Sequence, residues 1–189
     1  MTTPLSPHGV RAYPSIDLAW QRLADFLDGD FDLSLTDYGR CCTFVEDEFV
    51  RLGSDFYGQS IGYLYDLTHF HFSAHKDMFF DVVTQAATDF NIQNLGDAGC
   101  GVGLDAQALA SSGYDLTLYE IESPSTRYAK WRLSKDGHET TGMRAMGDLG
   151  TVRHDLVYAV DVLEHIPDPE LFVPRLFAAG RYVCELFRA

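Results

Sequence analysis

Basic residues are scarce in this chain. Fourteen Lys and Arg stand against 28 Asp and Glu, a formal net charge of −14. Proteins that bind nucleic acid draw most of their affinity from Lys and Arg that neutralise phosphates, so no DNA or RNA partner is expected. Cysteine is also sparse. Cys41, Cys42, Cys100 and Cys184 are the four in 189 residues, and no CxxC spacing suggests a disulfide scaffold or a zinc ribbon. No run approaches the ~20 uninterrupted apolar residues of a membrane span. The opening MTTPLSPHGVRAYP lacks the basic and then apolar segments of a secretory signal. The expectation is a soluble, cytoplasmic chain with no membrane partner. Internal repeats and low-complexity segments are absent as well. What is present is an ordinary globular composition, 46% apolar and 22% charged, which excludes a disordered chain. At roughly one domain per 150 residues the length allows one domain and a sizeable extension. The acidity is uneven: 5 basic and 14 acidic residues lie up to Phe90, against 9 and 14 beyond it.

The order of apolar patterns divides the chain. Residues 1–14 hold three prolines and read as a flexible tail. Ser15 can cap a helix through Asp28 with Leu18, Leu23, Phe26 and Leu27 as its apolar stripe. The acidic run Asp28-Gly-Asp30-Phe-Asp32 ends it. A second helix is predicted from Thr36 to Gly53. The aromatic stretch from Asp55 to Phe72 alternates like a strand yet fits a helix, and it is read as helical. A fourth helix, from Ala74 to Phe90, carries Met78, Phe79, Val82, Val83 and Ala86 on one side. Beyond it, strand-length runs alternate with amphipathic segments. Strands are predicted at 91–98, 115–120, 141–146, 155–161 and 182–187, and helices at 104–111, 123–135 and 168–179. Pro124 sits at a first helical turn and Pro174 inside the last helix, as a kink. Such alternation implies βαβ units and a parallel sheet, an α/β fold. No Pro/Gly/Ser-rich linker separates Phe72 from Asn91. Residues 15–90 are therefore expected to cap the carboxyl ends of the strands, with 91–189 as the core.

The most informative stretch is DAGCGVGLDAQALA, where a strand ends at Asp97, Gly99, Gly101 and Gly103 alternate, and a helix begins. Glycines there let a ligand lie against the backbone at the carboxyl end of a strand, and the new helix favours an anionic group. A dinucleotide fingerprint GxGxxG counted from Gly99 would need its third glycine at position 104, which is Leu104. The spacing GxGxG argues against a nicotinamide or flavin site. A glycine-rich turn without a ligand is the plainer alternative. The following strand, LTLYE, ends in Glu120 about 20 residues on, where a carboxylate can accept both hydroxyls of a ribose. Further along come Gly147-Asp148-Leu149 and DVLEHIPDP.

With DAGCGVG, the strand-terminal Glu120, GDL and DVLEHI in this order, the sequence resembles the class I S-adenosylmethionine-dependent methyltransferases, in particular their small-molecule group. The resemblance covers roughly residues 57–189 and is strongest from 91 to 173. It implies a Rossmann-like, mostly parallel sheet and S-adenosylmethionine as cofactor. Asp97, Gly99, Gly101 and Gly103 would surround the methionine part, Glu120 would hold the ribose diol and Ile121 would pack on adenine. Asp148 and Leu149 would reach the adenine edge, and Asp161 and Val162 would line the pocket near the sulfonium. Asp148 can equally be a turn residue and Asp161 a strand-end cap. The resemblance also places a lid where Tyr57, Tyr63 and Tyr65 lie. These could touch a substrate, or simply be core.

Two metal readings arise. His69, His71 and His75 are close in sequence, but only His71 and His75 share a helix face and no carboxylate completes a site. Asp161, Glu164 and His165 fit a motif by which some relatives hold a divalent ion. His165 is otherwise a candidate general base, and no metal is expected. The family's sheet has further strands after the fifth, whereas here the fifth ends the chain. The resemblance thus implies about five strands ordered 3-2-1-4-5 with an apolar edge. Such an edge invites a second copy or a partner chain. The expected function is methyl transfer to a small-molecule acceptor, with a non-catalytic or partner-dependent S-adenosylmethionine-binding module as the alternative.

Overall fold

A computed structural model describes residues 15–138 and 141–186, residue 75 by its backbone alone. The expected tail at 1–14 and the strand's continuation through Phe187 lie outside the described residues. Capping side chains set where the helices begin. Ser15, Asp37, Ser73, Ser123 and Asp168 each accept a hydrogen bond from a first-turn amide, satisfying donors that the helix itself leaves free. The helices that follow are α1 (Ile16–Leu27), α2 (Tyr38–Leu52), α5 (Ala74–Asp89), α7 (Pro124–Lys135) and α8 (Pro169–Ala179). Between them lie α3 (Phe56–Gln59), α4 (Gly62–His71) and α6 (Leu104–Ser111).

The ambiguous aromatic stretch is helical and broken in two. Glu48 makes the break: one carboxylate oxygen accepts from Ser60 Oγ at 2.6 Å and from Gly62 N at 2.8 Å. Gly62 is required there, because a Cβ would stand 2.6 Å from Phe44. The second helix starts at Tyr38, not Thr36, since residues 33–36 form a tighter 3₁₀ turn capped by Asp32.

Five strands follow: β1 (Asn94–Ala98), β2 (Asp115–Glu120), β3 (Gly142–Ala145), β4 (His154–Val160) and β5 (Gly180–Leu186). They are parallel throughout and ordered β3-β2-β1-β4-β5, the Rossmann-like arrangement. β1 begins three residues later than the pattern suggests. Asn91 adopts φ 50° and Ile92 N donates to Ala87 O at 2.8 Å, so these residues finish α5 before the strand can start.

One sheet face packs on α5 and α6 through Phe80, Val83, Leu95, Leu109, Leu116 and Leu156. The opposite face packs on α8 through Ala98, Val157, Phe172 and Leu176. α5 thus shares the strands' core. α1, α2 and α4 form a third cluster in which Leu23, Cys41, Leu64 and Tyr65 meet Val102, Leu104 and Tyr128. That cluster seats the N-terminal helices on the glycine loop and on α7. β5 is an edge strand in this order, with Tyr182 stacked on Phe90 at 4.4 Å. Among the described residues no helix is long and apolar enough to cross a membrane.

Candidate functional site

The glycine loop turns the chain from β1 into α6 within five residues. Gly99, Gly101 and Gly103 have φ of 84°, 55° and 69°, a left-handed conformation that costs other residues strain. Gly99 is constrained twice. A Cβ there would meet Val162 Cγ2 at 2.3 Å, so the missing side chain lets the exit of β4 close over the exit of β1. Gly101 lies beneath Leu67 of α4, its hypothetical Cβ 3.2 Å from Cδ1. Glu120 reaches the same loop from β2. Its carboxylate accepts from Gly101 N and from Ile121 N, each at 2.8 Å. Burial raises its pKa, and these two amides oppose the rise.

Above the carboxyl ends of β1, β2 and β4 opens a cavity of about 1140 Å³. Of the residues singled out in the sequence, Gly99, Gly101, Glu120, Ile121, Asp161, Val162 and His165 line it together. Asp161 does so at φ 52°, a strained conformation for a non-glycine, with its amide donating to Leu186 O at 2.8 Å. Asp97 lies buried beneath the loop. Burial pushes its carboxyl up to about 7, reinforced by Asp105 and opposed by the Lys76 ammonium and the Tyr158 hydroxyl. Gly103 caps α6 behind the wall. Asp148 and Leu149 stand outside the cavity lining. Asp148 is exposed and its carbonyl accepts from Thr151 N and Oγ1, a turn contact, while Leu149 is buried in the core under α8. Met146 forms the wall on that side.

Two contributors escape a reading of the sequence. Lys76 on α5 is 7% exposed, lines the cavity and pairs with Asp105 at 2.6 Å. His71 Nδ1 lies 3.8 Å from the same carboxylate. A buried ammonium between two buried carboxylates is costly to assemble unless the charges compensate one another. Ser125, at the start of α7, is 3% exposed and lines the cavity, and its Oγ has no hydrogen-bond partner among the described residues. A buried hydroxyl left unpaired costs about 1–3 kcal/mol, which points to a ligand as its partner. Tyr57, expected at the lid, has its Oη 2.8 Å from His165 Nδ1, joining α3 to the turn after β4 across the cavity. Tyr63 also lines the cavity, edge-on to Tyr57 at 5.3 Å. Tyr65 is core, 1% exposed, accepting from Asp32 N and packed on Trp20 and Phe31.

Neither metal reading is assembled. His69 Nε2 contacts Leu35 O at 3.1 Å, His71 faces Asp105, and the His75 side chain lies outside the described residues. Among the described residues no three His, Cys, Asp or Glu side chains form a group able to hold a metal, Asp161, Glu164 and His165 included.

Residues 71–183, which contain the loop, Glu120 and the β4 exit, match the model of the family described as "Methyltransferase domain". The chain belongs to this family, among the class I S-adenosylmethionine-dependent methyltransferases. This methyltransferase domain is similar to the ubiquinone biosynthesis O-methyltransferase of Idiomarina loihiensis, 28% identical over 81 residues, or 41% of this chain and 33% of that protein. The protein of the same description from Salmonella paratyphi A is 30% identical over 81 residues, covering 41% and 34%. The chain spans about a third of the length of these curated relatives. The N-terminal domain of EvdMO1 with SAH bound overlays 60% of this chain and 52% of its own at 22% identity, TM-score 0.47.

Proposed function

We propose that this methyltransferase domain binds S-adenosylmethionine in the cavity and methylates a small-molecule acceptor there. One observation carries the reading. The glycine loop, the diol-spaced Glu120 and the Tyr57–His165 pair open onto a single cavity. The protein's residues suit the cofactor part by part. Asp97 and the Gly99 carbonyl suit its ammonium, and the buried Lys76 suits its carboxylate. Glu120 suits the ribose diol, with Ser125 Oγ as a further hydrogen-bonding group. Ile121 and Met146 flank the space for adenine, with Asp148 and Leu149 behind that wall. Asp161 and Val162 border the reacting end.

The bound cofactor supplies an electrophilic methyl group on a sulfonium. The protein's share is to align the acceptor in line with that group and to exclude water. Tyr57, Tyr63 and Val162 wall the approach. His165 accepts the proton that an acceptor hydroxyl gives up. The relatives' printed activity is O-methylation, and a hydroxyl acceptor is the version in which His165 has a proton to take. A second reading is a cofactor-binding module that needs a partner for catalysis. The β5 edge is the surface proposed to pair with a second copy or a partner chain, and light scattering would read self-pairing as a dimer. Neither a nucleic acid nor a membrane enters this proposal. Its place is the cytoplasm, which the four free cysteines support.

A thermal-shift comparison tests the cofactor. Adenosylhomocysteine should raise the melting temperature and NAD should not. A shift with NAD alone overturns the reading.

A further inference from the structure

We infer that Tyr57 is a positioning residue that accepts a hydrogen bond from His165 Nδ1–H and so leaves Nε2 as the proton-accepting atom facing the cavity. The inference rests on the reading of His165 as the base and adds how that base is held. The contact is direct: Tyr57 Oη and His165 Nδ1 are 2.8 Å apart, with ring centroids 5.1 Å apart and planes tilted by 46°. The residues are 108 positions apart in the chain, so the pair is a product of the fold, formed where α3 meets the turn after β4.

A hydroxyl facing a neutral imidazole nitrogen can donate or accept, and which it does fixes the tautomer. If Tyr57 donated, Nδ1 would hold the lone pair, Nε2 would carry the proton, and the cavity would face a donor instead of a base. The reading of His165 as the base selects the other arrangement: Tyr57 occupies Nδ1, so the atom left to take a proton is Nε2, and Nδ1 then carries the hydrogen. Burial raises the Tyr57 pKa, reinforced by the Glu164 and Asp66 carboxylates, so the phenol stays neutral and its oxygen accepts from Nδ1–H. This is the logic by which a hydrogen-bond acceptor behind a catalytic histidine fixes its working tautomer.

Tyr57 is itself held. Its ring is edge-on to Phe56 at 5.1 Å and to Tyr63 at 5.3 Å. Tyr57→Phe keeps those ring contacts and removes only the oxygen, which makes it a clean variant.

The test is long-range proton–nitrogen NMR of the His165 imidazole in the full chain, at about pH 8, where an ordinary histidine is neutral. His165→Gln assigns the signals. The wild-type ring should show Nδ1 protonated and Nε2 bare. Tyr57→Phe should shift most of the population to the Nε2–H tautomer, while Tyr63→Phe, which removes a neighbouring hydroxyl, should leave it in place. A wild-type ring protonated at Nε2, or a tautomer indifferent to Tyr57→Phe, overturns the inference. Adenosylhomocysteine binding is scored separately by thermal shift. Its failure sinks the methyltransferase reading and not the tautomer result.

Discussion

Two buried polar assemblies share the central sheet, and they differ in whether the protein completes them. On the α8 face, Tyr119 Oη meets His154 Nε2 at 2.8 Å, and His154 Nδ1 bonds Asn94 Oδ1 across Gly96. Both nitrogens of the imidazole are used. Under the glycine loop, Asp97, Asp105, Lys76 and His71 gather beside a cavity that Ser125 also lines, its buried Oγ without a partner among the described residues. The first is closed by protein and serves to seat strands. The second is left open, and in the proposed function a ligand completes it. Buried polarity alone does not mark a functional site; incompleteness beside a cavity does.

Lys76 belongs to the open assembly and also stabilises the fold, so its loss has the largest effect. Lys76→Met strips the only ammonium that faces Asp97 and Asp105 among the described residues, and losing one partner of a buried pair costs about 3–5 kcal/mol. Urea unfolding should show that loss at neutral pH and recover part of it in acid, where the carboxylates are neutralised. An unchanged midpoint would mean the charges are not coupled.

Tyr119→Phe should cost about 1–3 kcal/mol by leaving His154 Nε2 without its partner. The affinity for adenosylhomocysteine should not change. A variant that melts like wild type but binds poorly would transfer the closed assembly to the functional side.

The two assemblies should also titrate with opposite signs. Burial raises the Asp97 pKa from 3.8 to about 7. The folded state therefore holds a proton there that the unfolded chain has lost, and the contribution of Asp97 falls as pH rises from about 4 to 7. Burial lowers the His154 pKa below 6.5. There the unfolded chain binds the extra proton, so the contribution of His154 falls as pH drops through that window. Melting temperatures across pH should lose the first slope in Asp97→Asn and the second in His154→Gln. One slope surviving both variants would assign it to other groups.

What the sequence discloses follows the same division. DAGCGVG and Glu120 are legible because their role is set by spacing along one strand–turn–helix unit and by the strand beside it. The strand order followed from that resemblance, and β2 appears at its expected bounds. Lys76 was not legible: AHKDMFF reads as an ordinary helix, and its lysine is buried only because α4 and α6 fold against it. The Tyr57–His165 pair depends on a contact between distant segments, as does the burial of Tyr65 in place of substrate contact. Asp148 illustrates the converse, since a motif placed it at the site while local turn bonds turn it to solvent. No local pattern carries such information.

The central claim is that Glu120, which lines the same cavity as the open assembly, works as a ligand-binding carboxylate on the glycine loop. Calorimetry of adenosylhomocysteine binding to the wild type and to Glu120→Ala tests it most directly. One site is expected in the wild type, weakened by about 1–3 kcal/mol in the variant through the lost charged hydrogen bonds. Equal affinities in the two chains would contradict the account.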